Sequence, residues 1–252
     1  MLGVEKLSTE CFKEYSIIDV KKIIGRIHEL KRLAVIDATS LFFDEDLEYV
    51  ENAIKELSSA DYFMYEDLGI MDLIPFEKRF YYSSTYATNS KDIELILSEN
   101  KYCLLSPVVQ IEDAKKIIDK YNDNLFLISF GTWKIFYSRR NLLSTYFDYR
   151  NLTYNQATYK MIEETRTEEY PIIERNGTKI YLHDYFYLEN DELNATNSII
   201  KTFDLELDAS KAIIEGFVKG SIEPVIEKLN LKSHKGLLYE NSILIKGGTR
   251  WK

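Results

Sequence analysis

Cysteine, glycine, proline and surplus basic charge are all scarce in this chain, and each shortage closes off a class of protein. Two cysteines, Cys11 and Cys103, lie far apart among 252 residues. They supply neither a disulfide framework nor zinc-ligand spacing. Cys103 sits in the apolar run Tyr102-Cys103-Leu104-Leu105, which predicts a buried thiol. Ten glycines and four prolines leave little material for flexible linkers. Basic residues number 32 against 41 acidic ones, giving a net charge of -9. An overall electrostatic footprint for nucleic acid is therefore missing, and any RNA contact must come from a local patch or a partner. No apolar run approaches the roughly 18 residues of a membrane span. The start, Met1-Leu2-Gly3-Val4-Glu5-Lys6, lacks a signal-peptide pattern, so a cytoplasmic setting is expected. Neither GxGxxG nor a Walker A loop is present, and His-Glu-x-x-His is absent.

What the chain does have is ordered alternation. Hydrophobic residues make up 45%, enough for a sizeable core. Ser16 with Asp19 resembles a capping box, and Val20, Ile23, Ile24, Ile27 and Leu30 follow at helical spacing. Strands are predicted near residues 4–8, 33–36, 61–65, 80–85, 102–105 and 125–129, with helices near 16–30, 44–57, 90–97 and 111–121 between them. Such alternation implies a parallel sheet with crossover helices, wound as a doubly wound sheet or a (β/α) barrel. The pattern breaks at about residue 132. Residues 132–170 are aromatic, polar and basic, and 170–187 reads as a hairpin around the Asn176-Gly177 turn signal. A strand near 198–207 and helices near 209–219 and 221–230 follow, the last capped by Ser221 with Pro224 in its first turn.

The stretch Phe130-Gly131-Thr132-Trp133-Lys134-Ile135-Phe136-Tyr137-Ser138-Arg139-Arg140-Asn141-Leu142-Leu143-Ser144 resembles the signature of the peptidase U32 family. Its flanks match in order: Asp67-Leu68-Gly69, Ser84-Thr85 to Asn89, Gln110 to Asp113, Tyr170-Pro171 to Glu174, and Asn176-Gly177-Thr178. The resemblance spans about residues 3–205 and implies one TIM-like (β/α) barrel domain over 1–252. Residues 132–190 would form an inserted basic and aromatic segment plus hairpin. The match begins at the family's second element, so the resemblance implies a barrel without its first strand. The exposed edge would be covered by a second U32-type subunit, another copy, or the C-terminal tail. Family members that carry an iron–sulfur cluster bind it through cysteines, but Lys134 and Asn141 stand at the two signature positions. A downstream cysteine pair has no counterpart in Thr153 to Arg166 either. Iron clusters need soft thiolates, so no cluster is expected on this chain. The usual His before Gly131 is Phe130, and the family's late Lys-Ile-Glu-Gly-Arg motif is not recognisable around Lys201 to Leu205.

The Ser-Arg-Arg form with Leu-Leu-Ser is similar to a cysteine-poor branch linked to forming 5-hydroxyuridine in tRNA, with prephenate implicated. That resemblance implies a subunit of an RNA-modifying complex with tRNA as a partner. The competing readings are a U32 hydrolase and a barrel that binds a small carboxylate. Lys134, Tyr137, Ser138, Arg139, Arg140, Ser144, Tyr146 and Arg150 are the candidate RNA- or anion-binding set, because arginine pairs suit planar anions and aromatics stack bases. Asp37 and Asp67 are predicted at strand carboxyl ends, where barrel active sites form, although each could equally cap the next element. Thr85, Thr88 and Asn89 are read the same way, as candidate binding residues, although a helix cap explains Asn89 well. His183 beside Asp184 could orient a proton shuttle or simply form a surface pair. Ser138 and Ser144 show no evident base nearby.

Overall fold

The computed structural model describes all residues except 12, 83–86, 156–158, 163, 165–168, 183, 189–196, 203–204, 237 and 240–252. The structural positions of Ser84, Thr85 and His183 therefore lie outside the described residues, as do those of residues 240–252 of the C-terminal tail.

Period-2 and period-3.6 segments alternate through the first half much as the sequence predicts. Strand β1 (Leu2–Val4) and the short β2 (Glu14–Tyr15) precede helix α1 (Ile17–Glu29). There follow β3 (Val35–Ala38), α2 (Leu47–Glu56), β4 (Tyr62–Tyr65), β5 (Arg79–Tyr81), α3 (Ser90–Glu99), β6 (Tyr102–Leu104), α4 (Ile111–Tyr121) and β7 (Leu125–Gly131). The first helix begins where its cap chemistry says it should: Ser16 Oγ accepts from the Asp19 N–H. Its apolar spacing turns Val20 and Ile24 fully inward. The strands read as continuous apolar runs because both their faces are covered. Phe63, Met64 and Tyr65 are all at or below 1% exposure. Side chains of this size each contribute about 1.5–3 kcal/mol when fully buried.

Strands β1 and β3 to β7 are parallel and pair in chain order, with β2 outside β1. Each of these strands is added beside the last, without the order reversal that marks a doubly wound sheet. Among the described residues the sheet stays open. It runs from β2 at one edge to β14 (Ser233–His234) at the other, through β12 (Tyr185–Tyr187), which is antiparallel to β7. A further strand, β13 (Ser198–Ile200), also pairs with β7 in parallel.

Residues 134–181 form a second structure that the sequence reading took for an inserted segment with one hairpin. It is an antiparallel four-stranded sheet in the order β8 (Lys134–Ser138), β11 (Thr178–Tyr181), β10 (Glu169–Glu174), β9 (Tyr159–Ile162), with helix α5 (Leu142–Tyr149) between β8 and β9. The predicted turn at Asn176-Gly177 is real. However, Glu174 pairs with Thr178, so three residues form the loop. Asn176 and Gly177 both take positive φ, and a Cβ on Gly177 would fall 2.2 Å from the Ser138 carbonyl oxygen. Only glycine fits there. Helices α6 (Leu207–Lys219) and α7 (Glu223–Lys228) close the chain's second half around Phe130 and Tyr187. The predicted Ser221 cap is not formed: the cap position falls on Ile222, without a side-chain hydrogen bond.

Candidate active site at the strand carboxyl ends

The antiparallel sheet lies as a cap over the carboxyl ends of the parallel strands. Arg175 donates to the Cys11 carbonyl, and Asn176 donates to Glu14 Oε1 at 2.9 Å. Tyr137 hydroxyl meets Ser40 Oγ at 3.3 Å and donates to the Asn176 carbonyl. Arg139 reaches Asp46 Oδ2 at 2.9 Å and the Leu41 carbonyl, and its guanidinium stacks 4.4 Å over Phe43.

Beneath the cap, the loop after β1 folds inward. Ser8, Thr9 and Glu10 are at most 1% exposed. The reason is Asp37 on β3, whose carboxylate accepts from the Glu10 and Cys11 N–H groups and from both the N–H and the hydroxyl of Thr39. Asp37 is thus a buried brace for the loop. Burial lifts its carboxyl above the usual range despite these donors.

The brace delivers Glu10 to the centre. Its Oε1 is 2.7 Å from Lys134 Nζ of the cap, and its Oε2 is 2.6 Å from Lys201 Nζ, just past β13. Tyr82, just past β5, donates to Glu10 Oε2 at 3.2 Å and accepts from Lys201 at 2.6 Å. Glu66, just past β4, places Oε2 3.5 Å from Lys134 Nζ. Burial alone would push the Glu10 carboxyl up, but the two ammonium groups override it and hold it well below the usual carboxylate range. For Lys134, burial works the other way and is overcome by Glu10 and then Glu66, which keep it charged. Burial raises Glu66, only partly offset by Lys134. Burial and then Glu10 push the Tyr82 hydroxyl far up, so it stays protonated.

Lys201 is placed by a close backbone approach. Gly131 has φ +136°, and a Cβ there would fall 2.5 Å from Lys201 Cβ. These groups open onto a cavity of about 500 Å³. Glu10, Glu66, Tyr82, Lys134 and Lys201 make its polar side, and Pro107, Val108, Ile128, Trp133 and Phe136 its apolar wall.

The residues picked from sequence divide sharply. Lys134 and Tyr137 line this cavity, and the Lys134 side chain is only 5% exposed, so it is an interior ion-pair partner where a surface contact was expected. The misreading has a physical cause: β8 buries the Lys134 side chain, while its apolar Ile135 and Phe136, at the cavity's rim, are 49% and 41% exposed. Arg139 is occupied by Asp46. Ser138 Oγ accepts from the Arg140 N–H, and Ser144 Oγ donates to the Asn141 carbonyl, so neither hydroxyl is paired with a base. Arg140, Tyr146 and Arg150 are exposed around α5. Asp67 accepts from Gly69 and Phe42 N–H groups, capping the 3-10 turn Leu68–Leu73. Asn89 caps α3 through the Lys91 and Asp92 N–H groups. Thr88 hydroxyl donates to Asp92.

Sequence reading missed Glu10, Glu66, Tyr82 and Lys201. One signal could have found three of them: Glu66, Tyr82 and Lys201 each stand directly after a short apolar strand, at the end where parallel sheets bind ligands. The donor set does not suit an iron–sulfur cluster. The two signature positions carry an ammonium and an amide, and burial pushes the Cys103 thiol up to about 12. Among the described residues, no group of three or more His, Cys, Asp or Glu could hold a metal ion.

Fold and site together define an α/β protein with a largely parallel sheet and a capped, charged cavity at its strand ends. The family model described as Peptidase family U32 matches residues 1–226, and the chain belongs to that family. Neither the search of curated proteins nor that of solved structures returned a match.

Proposed function

We propose that this U32-family chain binds a small organic acid in the capped cavity, as a cluster-free subunit of a system that hydroxylates uridine in tRNA. The observation that carries the binding reading is the pair Lys134 and Lys201. Two buried ammonium groups converge on Glu10, the one carboxylate held firmly ionised. Both ammonium groups line the cavity, where a ligand carboxylate can meet them. The apolar wall opposite suits the carbon skeleton of that acid. Prephenate and similar dicarboxylates are the first ligands to try.

The test is thermal unfolding with prephenate, malate and citrate, beside neutral analogues of like size. A ligand at 100 times its Kd adds about 2.7 kcal/mol to stability. A shift with the acids but not with the neutral analogues, abolished in Lys201→Met, is the expected result. No shift with any acid sinks the binding reading.

The RNA context is supported by the family and by the resemblance around Gly131 to Ser144. It also draws on the exposed Arg140, Tyr146, Tyr149 and Arg150, the chemistry that stacks bases and meets phosphate. Arg140→Glu with Arg150→Glu should lower tRNA hydroxyuridine in cells. Unchanged hydroxyuridine in those cells, and in cells lacking the chain, removes this context and leaves the binding reading standing. A partner, either a second U32-family chain or another copy, should co-purify with the native protein.

A further inference from the structure

The cavity holds three carboxylates in or beside it, and their surroundings separate their roles. Asp37 is consumed by four donor contacts in bracing a loop. Glu10 is clamped by two ammonium groups and the Tyr82 hydroxyl, which hold its charge and make it a poor base. Glu66 differs from both. Its Oε2 is buried on the cavity wall, and its contact to Lys134, at 3.5 Å, is longer than either ammonium contact of Glu10. Burial also raises this carboxyl above the ordinary range, toward the strength a working base needs.

We infer that the cavity carries proton-transfer chemistry: Glu66 removes and returns a proton on the carbon next to the carbonyl of a bound small 2-oxo acid. This rests on the small-acid reading of the same cavity. The carboxylate and the neighbouring carbonyl of a 2-oxo acid present adjacent oxygens, and Lys134 and Lys201 supply two ammonium donors on the same side. In the forward step the C–H bond breaks and its proton goes to Glu66 Oε2. The C–H electron pair becomes the new carbon–carbon double bond, and the carbonyl π pair moves onto oxygen. The ammonium groups hold the resulting enolate beside the apolar Trp133 and Ile128. Return of the proton restores the acid. No oxidant, reductant or second substrate takes part. In heavy water the cycle replaces hydrogen by deuterium at that carbon.

The experiment uses the intact chain and pyruvate as probe. Loss of the pyruvate methyl signal in deuterated buffer is followed by proton NMR, and binding by thermal shift on the same samples. Exchange above the buffer rate is expected for the native protein. In Glu66→Gln the exchange should fall on the order of 100-fold relative to the occupancy measured for that variant. A native protein that binds pyruvate without accelerating exchange overturns this inference alone, whatever the variant does. Equal exchange in Glu66→Gln also overturns it. Absence of a thermal shift with pyruvate and with every dicarboxylate overturns this inference and the small-acid reading together.

Discussion

The parallel sheet and its antiparallel cap carry opposite charge at their junction. The sheet's strands and their loops bring Glu10, Glu14, Asp37, Asp46 and Glu66 to the junction, and the cap brings Lys134, Arg139, Arg175 and Lys179 against them. Lys201 is the exception, a cation supplied from the sheet side. The two halves also differ in how they are stabilised. The sheet is buried on both faces, whereas the cap leaves Ile135, Phe136 and Ile162 open to solvent. Apolar burial therefore holds the sheet, while directional polar contacts seat the cap. A charge removed at the junction should cost most where it is buried and matched, and least where water can replace its partner.

The largest effect is expected at Glu10. Glu10→Ala strips the counter-charge from two lysines whose side chains are 5% and 2% exposed. A loss of about 3–5 kcal/mol in urea unfolding follows from breaking a buried ion pair on one side. A loss below about 1 kcal/mol would show that the junction is far wetter than the geometry says.

Next comes the backbone approach that sets Lys201. Gly131→Ala forces a side chain at φ +136° against Lys201 and should cost about 1–3 kcal/mol. It should also weaken the acid-induced thermal shift, since Lys201 must move. Full ligand response in a folded Gly131→Ala protein would uncouple this glycine from the site.

Lys179 breaks the pattern in the opposite direction. It is 3% exposed, and burial followed by Lys134 pushes its ammonium down to about 8 from the usual 10.5. Between those values the unfolded chain binds more protons than the folded one, so this residue makes stability rise with pH over that window. Lys179→Met should therefore stabilise the protein at neutral pH by about 1–3 kcal/mol and flatten the rise. Denaturation at pH 7 and pH 9.5 checks both signs. A destabilised variant at neutral pH would mean that Lys179 has a partner when folded.

The smallest effect belongs to Arg139. Its pair with Asp46 is about a quarter exposed on each side. Arg139→Ala should cost about 1 kcal/mol or less, and amide exchange should quicken in β8 before it does in β4. Equal quickening in both strands would contradict separate seating of the cap.

The same contrast explains what could be read in advance. The elements up to residue 131 follow apolar periodicity, because each buries one stripe or a whole run. In residues 134–181 the hairpin of β10 and β11 was legible, but β8 was hidden because its inward Lys134 and Tyr137 look like a solvated surface. Asp67 and Asn89 could be read as caps or as site residues, and the structure uses both as caps. The site itself was legible only at Lys134 and Tyr137. Glu10 acquires its meaning from Lys201, 191 residues away, and no local pattern encodes that pairing.

That separation bears on how the protein is made. A chain emerging from the ribosome presents Glu10 191 residues before its second cation. Until then Lys134 alone of its two cationic partners can meet this carboxyl. The residue just past β13 thus completes the site's charge, and a product truncated before Lys201 should be marked for quality control by a loop after β1 that fails to close.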